Sequence, residues 1–308
     1  MTATPVRYRY FPNDLRKAAA LSVAPGYLVV GHVSRDLAAD GASRAGGTAT
    51  YSALTARRLG LRVGVVTSGN SEVPFFADEP SIAVHCQLAE HTTTFENVYS
   101  PAGRRQYIHA LAGWLSAADL PPGWKGASIV HLGPVAQEVD PGLAGIFPNA
   151  LLGVTPQGWL RRWDQQGLVS PAEWEHASRV LRLADVVVLS LADIGGDRGR
   201  LDFYTSLARL LVLTVGQDGA FVYCQGREHH VPAYVVTEVD PTGAGDVFAA
   251  AYLVRLHETG DAIEAARFAN CAASFVVEGL GTANVPSREQ IEWRVRHGQL
   301  KSYGREQM

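Results

Sequence analysis

Val239-Asp240-Pro241-Thr242-Gly243-Ala244-Gly245-Asp246-Val247-Phe248-Ala249-Ala250-Ala251-Tyr252-Leu253 joins a turn to a helix. Asp-Pro-Thr-Gly is turn chemistry: proline presets its own φ, and glycine takes conformations other residues avoid. Ala249 to Leu256 is strongly helix-forming, so the spacing predicts that Gly243, Ala244, Gly245 and Asp246 occupy the first helical turn. The N–H groups of such a turn have no intrahelical partner and carry the positive end of the helix dipole, and glycines let a phosphate approach the backbone. The pattern is therefore an anion hole. Asp246, on the same turn, can accept a proton from a hydroxyl that attacks a bound phosphate. The same residues would also make an ordinary helix start, with Asp246 favourable to the dipole.

Upstream, Tyr27-Leu28-Val29-Val30-Gly31 is a short apolar run ending in glycine, and Leu61 to Thr67, Ser128 to Leu132, Asp185 to Leu189 and Leu210 to Val215 repeat the form. Continuous apolar runs of this length predict parallel strands buried on both faces. Between them, helical patterns cover Thr50 to Leu59, Pro171 to Leu183 with an N-cap at Ser170, Arg198 to Leu207 and Ala244 to Leu256. The alternation predicts an α/β fold: a three-layer sandwich whose mostly parallel central sheet is covered by helices. Residues Thr92 to Tyr99, the Ser100-Pro101-Ala102-Gly103 turn and the returning run to His109 break the rhythm and predict an antiparallel hairpin, a small β lid. The expected organisation is an N-terminal extension over 1–24, one domain over 25–300 with lid segments around 32–46 and 90–112, and a tail over 301–308.

The chain has 308 residues, 47% of them hydrophobic, and 27 Lys and Arg against 30 Asp and Glu for a formal net charge of −3. It can bury a sizeable core, and without a long basic block it offers no electrostatic footprint for nucleic acid or anionic lipid. No run reaches the roughly 18–20 uncharged apolar residues of a membrane span. Cys86, Cys224 and Cys271 stand far apart with no CxxC pair, which suggests neither a disulfide framework nor a zinc site. The expected setting is cytoplasmic and the expected partner a small molecule.

The full Asp-x-x-Gly-Ala-Gly-Asp-x-Phe string resembles the C-terminal signature of the ribokinase-like, or PfkB, carbohydrate kinase family. Gly46-Gly47-Thr48-Ala49-Thr50-Tyr51 looks like that family's diglycine substrate segment. Gly31-His32-Val33-Ser34-Arg35-Asp36 resembles the end of its first strand, where an aspartate holds substrate hydroxyls. Thr214-Val215-Gly216-Gln217-Asp218-Gly219 resembles its nucleotide segment, and the stretch from Ala269 through Asn270 to Gly281 its adenine-side helix and loop, which in related kinases helps bind a monovalent cation.

The resemblance implies phosphorylation of an alcohol by ATP with Mg2+, and K+ as a further candidate ion. Asp246 would be the catalytic base, with Gly243, Ala244 and Gly245 around the transferring phosphoryl. Ser190, Asp193, Thr214, Gly216, Gly219, Thr242, Asn270 and Gly281 would serve the nucleotide, and Asp36, Gly46, Gly47, Tyr51 and Gln157 the acceptor. Two positions depart from the pattern. The family's Asn-x-x-Glu, which organises magnesium and its waters, is Ser190-Leu191-Ala192-Asp193 here, with Asp193 the candidate metal ligand through water and a helix N-cap at Ser190 the other reading. Tyr51 replaces a sugar-binding asparagine, which disfavours ribose and, with the small residues after the diglycine, resembles the inositol-kinase-like branch.

The expected function is transfer of the γ-phosphoryl of ATP to a sugar or cyclic polyol. A nucleoside acceptor, or a non-catalytic sugar- or nucleotide-binding relative, is the alternative. The lid's edge strands can pair across a two-fold axis, which makes a homodimer an expected assembly.

Overall fold

The computed structural model describes residues 21–37, 42–70, 76, 78–100 and 103–302. Most of the expected N-terminal extension, most of the tail and the 101–102 tip of the hairpin lie outside them. The strands are β1 (Tyr27–Val30), β2 (Ser34–Leu37), β3 (Ser43–Gly46), β4 (Val63–Gly69), β5 (Ala83–Leu88), β6 (Thr94–Ser100), β7 (Gly103–Ala110), β8 (Ile129–Leu132), β9 (Leu151–Val154), β10 (Arg161–Trp163), β11 (Val169–Pro171), β12 (Val186–Ser190), β13 (Leu210–Thr214), β14 (Ala220–Cys224) and β15 (Arg227–Val231). The helices are α1 (Thr48–Arg58), α2 (Ala177–Leu183), α3 (Arg198–Leu207), α4 (Ala244–Thr259), α5 (Ala262–Val276) and α6 (Arg288–His297).

Among the described residues the central sheet has nine strands in the order β15-β14-β13-β12-β9-β8-β1-β4-β5. Seven neighbours from β13 to β5 run parallel, and β14 and β15 close one edge antiparallel. Every residue of Tyr27-Leu28-Val29-Val30 is fully buried, because helices cover both faces and each side of the strand enters a different core. One core holds α1, α4 and α5 against the sheet; the other holds α2 and residues of α3 with Trp124, Trp159 and Trp174. The α/β sandwich expected from the sequence is the observed fold. No helix among the described residues is long and apolar enough to cross a membrane.

A second sheet of four strands, β3-β2-β6-β7, projects from the end of β1. Its β6–β7 pair is the antiparallel hairpin, with Asn97 opposite Gln106. Phe95 and Ile108 on this sheet pack on Val135 and Ala136 of the main body. The β10–β11 hairpin buttresses it, since the Ile108 N–H donates to the Gly167 carbonyl at 2.8 Å.

One helix boundary differs from expectation. Ser170 does not cap a helix: it lies in β11, paired with Arg162, and α2 begins only at Ala177 after His176. Asp164 turns the chain between β10 and β11, its Oδ1 accepting from the Gln166 and Leu168 N–H groups, so residues up to 171 are committed to a hairpin before the helix can start.

Candidate active site

The turn ahead of α4 forms as its residues dictate. Asp240 Oδ1 accepts from the Thr242 N–H at 2.9 Å, and Gly243 adopts a left-handed φ of 81° as the N-cap. A Cβ on Gly243 would also lie 2.3 Å from Tyr51 Cε1, so the Tyr51 ring rests directly on this glycine. The Ala244 N–H is taken by the Pro241 carbonyl at 3.2 Å. Of the four N–H groups expected to face an anion, that of Ala244 is therefore taken, and those of Gly245 and Asp246 are the orphans of the first helical turn. A Cβ on Gly245 would meet nothing within 4 Å, which leaves the approach to these groups open.

Asp246 is half-buried at the base of a cleft of about 810 Å³. Thr48 Oγ1 donates to its Oδ1 at 2.7 Å. Burial pushes its pKa from 3.8 up to about 6, opposed by the Thr48 hydrogen bond and by the Arg161 charge, and assisted by the like charges of Asp193 and Asp36. A carboxylate in this range is poised to hold and release a proton near neutral pH.

The diglycine segment builds the neighbouring wall. A Cβ on Gly46 would fall 2.1 Å from Asp36 Oδ2, and Gly47, at φ 81°, lies against the His32 carbonyl, where a Cβ would come within 2.6 Å. Ser34 Oγ donates to Asp36 Oδ1 at 2.9 Å. His32 itself is buried and ties the Gly113 carbonyl and the Thr93 hydroxyl at 2.8 and 2.7 Å. It is structural.

At the ends of β12 and β13, where parallel sheets place ligands, Ser190, Asp193, Thr214 and Gly216 line the cleft. Asp193 Oδ2 accepts from both the N–H and the hydroxyl of Ser190, at 2.8 and 2.7 Å, while Ser190 Oγ accepts from the Asp193 N–H at 3.1 Å. This reciprocal turn occupies one carboxylate oxygen. Gln157 Nε2 stands 3.4 Å from the other. Among the described residues no group of three His, Cys, Asp or Glu side chains is arranged to hold a metal ion. A magnesium ion that travels with donor phosphates needs only one or two carboxylates, and Asp193 fits that lesser role.

The cleft gathers Asp36, Gly47, Tyr51, Gln157, Ser190, Asp193, Thr214, Gly216, Thr242, Gly243, Ala244, Gly245 and Asp246. Gly46 does not line it but makes room for Asp36. Three expected nucleotide residues are elsewhere. Asn270 gives its amide to the Val231 and Pro232 carbonyls at 2.9 and 3.2 Å, which binds α5 to the end of β15. Gly219 closes a turn at φ 97° against the Val231 carbonyl, and Gly281, at φ 59°, is a loop glycine outside the cleft lining.

The cleft also holds residues that sequence reasoning did not assign: Thr48, Phe95, Asn97, Gln106, Thr155 and Arg161. Arg161 brings the positive charge that acts on Asp246. A signal existed for Thr48, next to the diglycine, but not for residues contributed by separate hairpins.

Residues 200–289 match the pfkB family carbohydrate kinase pattern. A fructokinase from Escherichia coli is 30% identical over 199 residues, covering 58% of this chain and 64% of that protein, so the match spans less than two thirds of the relative's length. A solved pyrophosphate-dependent kinase in the ribokinase family, complexed with a pyrophosphate analogue and myo-inositol, superposes with a TM-score of 0.72 at 22% identity, covering 86% of this chain and 99% of that one. Arabidopsis thaliana ribokinase complexed with ribose and ATP gives 0.70 at 19% identity, with 89% and 99% covered. The last two establish a shared fold, and the sequence matches place a pfkB family carbohydrate kinase pattern in the C-terminal part of the chain.

Proposed function

We propose that the protein is a small-molecule kinase that transfers the γ-phosphoryl group of ATP to a hydroxyl of a sugar or cyclic polyol. The observation that carries this reading is the Asp246 carboxylate, held by Thr48 on the same helical turn as the orphan N–H groups of Gly245 and Asp246. The acceptor oxygen attacks the terminal phosphorus, the bond from that phosphorus to the donor's bridging oxygen breaks, and the hydroxyl proton passes to Asp246. The two N–H groups and the helix dipole stabilise charge on the transferring phosphoryl, with Arg161 across the cleft. Magnesium bound with the donor would neutralise phosphate charge, with Asp193 as the carboxylate that holds it through water. The four-stranded sheet acts as a lid that keeps water from competing with the alcohol.

Asp36, Asn97, Gln106 and Gln157 make the acceptor end rich in carboxylate and amide groups, as a hydroxyl-rich ring requires. A nucleoside acceptor is the alternative within the same chemistry. A second donor, inorganic pyrophosphate, is favoured by the position of Asn270 and Gly281 outside the cleft and by the pyrophosphate-dependent structural relative.

The test is mass-spectrometric detection of phosphorylated products from pooled sugars, inositols and nucleosides, with ATP or pyrophosphate as donor and magnesium present. Asp246→Asn is expected to lower kcat by at least about 10³-fold while donor binding, measured by calorimetry, persists. Full activity in that variant would overturn the assignment of the base.

A further inference from the structure

A row of buried polar side chains runs from the catalytic layer into the cleft and has no part in the chemistry above. Tyr27, on β1, and His131, on β8, are both fully buried. Tyr27 Oη lies 2.7 Å from His131 Nδ1, and His131 Nε2 lies 3.0 Å from Thr155 Oγ1. Ser52, on α1, stands near the Tyr27 hydroxyl at the far end, and its own hydroxyl donates to the Asp246 backbone carbonyl at 3.4 Å. Thr155 follows β9 and lines the cleft. Its hydroxyl and the Thr48 methyl both approach Gly133, where a Cβ would lie 2.4 Å from Thr48 Cγ2 and 3.4 Å from Thr155 Oγ1.

Two proton orders satisfy this row, and they give Thr155 opposite characters. If the phenol donates to Nδ1, the imidazole carries its proton on Nε2 and donates to Thr155, whose own proton must then point elsewhere. If the imidazole donates from Nδ1 to the phenol, Thr155 must donate to Nε2 and can only accept from a ligand. The lengths favour the first order: 2.7 Å suits an O–H donor, whereas 3.0 Å is the usual N–H···O separation. Acidity agrees, because a phenol is a stronger donor than an aliphatic hydroxyl and imidazole nitrogen a better acceptor than phenolic oxygen. Burial depresses the His131 pKa to about 3, so the ring is neutral and has a single proton to place.

We infer that Thr155 is a specificity-determining residue whose hydroxyl is locked by the Tyr27–His131 row as a hydrogen-bond donor to the acceptor alcohol. The inference rests on the kinase reading for the identity of its ligand. Its place in the cleft that Thr48 and Asp246 also line directs it to an oxygen of the acceptor other than the reacting hydroxyl. An acceptor with hydrogen in place of that oxygen leaves the donor unpaired and is disfavoured. His131 and Tyr27 are positioning residues.

Long-range 1H–15N correlation of the histidine rings, with His131 identified by its loss in His131→Gln, reads the proton order. The expected form is the neutral Nε2–H tautomer from pH 5 to 8; an Nδ1–H or doubly protonated ring overturns the inference. In turnover of the acceptor found by the screen above, Thr155→Val should raise acceptor KM about tenfold with kcat changed less than about threefold. Thr155→Ser, which keeps the hydroxyl, should restore KM to within about twofold, and Tyr27→Phe, which removes the proton that sets the tautomer, should raise it. Equal KM in Thr155→Val and the wild type overturns the contact. Should the wild type phosphorylate no alcohol, the kinase reading falls and the acceptor contact with it, while the orientation of Thr155 is still decided by the imidazole.

Discussion

Asp246 meets opposing influences of burial, charge and one hydrogen bond, and its proton affinity reports their balance. Burial favours the neutral acid, and the Thr48 hydroxyl and Arg161 favour the carboxylate, leaving the pKa raised to about 6. In the proposed base role Asp246 acts only when deprotonated, so kcat should hold above this value and fall about tenfold per pH unit below it. Thr48→Val removes the Oγ1–H donor at nearly constant volume. It should move the acid limb of the kcat profile to higher pH, because the carboxylate loses a partner that the neutral acid needs less. A profile measured from pH 4.5 to 8.5 checks this, and a limb that stays put or moves down would show that Thr48 does not tune the base.

The start of α4 assigns different work to its two glycines. Gly243 has a left-handed φ and the Tyr51 ring against it, whereas Gly245 has no positive φ and open space where a Cβ would go. Gly243→Ala is therefore expected to destabilise the fold by about 1–3 kcal/mol, through backbone strain and displacement of a buried ring. Gly245→Ala should leave Tm unchanged or slightly higher, since alanine suits a helix better. Its methyl would stand at the mouth of the proposed anion hole, and donor KM should rise. Thermal melts and donor titrations of both variants separate the roles; a cold-sensitive, unstable Gly245→Ala protein or an undisturbed Gly243→Ala protein would contradict the assignment.

For the whole molecule, the decisive relation is between the four-stranded sheet and the body. Phe95 and Ile108 anchor that sheet on Val135 and Ala136, and the 161–171 hairpin supports it from below while carrying Arg161 into the cleft. Ile108 is buried but does not line the cleft. Ile108→Ala should weaken the seat by about 2–4 kcal/mol without touching a bound ligand. The expected result is a larger share of donor hydrolysis relative to transfer, measured as inorganic phosphate against phosphorylated alcohol. An unchanged ratio would argue that the sheet does not exclude water.

Much of this was legible in contiguous signals. The apolar runs at 27–31, 61–67, 128–132, 185–189 and 210–215 each contained a parallel strand within a residue or two, because a strand buried on both faces writes its environment into consecutive residues. The Asp-Pro-Thr-Gly turn and the helix after it were equally local, and Asp246 came with them. What stretches of small residues served was not legible: Asn270 and Gly219 carry a nucleotide-like pattern, yet one ties carbonyls and the other closes a turn. The helix expected from 171 began at 177 because residues 169–171 pair with a strand six to ten positions earlier in the chain. Only the tertiary structure brought Thr48 to Asp246 across 198 residues, and set Arg161 and Thr155 in the same cleft. Local chemistry determined which turn could hold an anion and a base. The partners that tune that base come from separate elements, and their convergence is decided by how the layers pack.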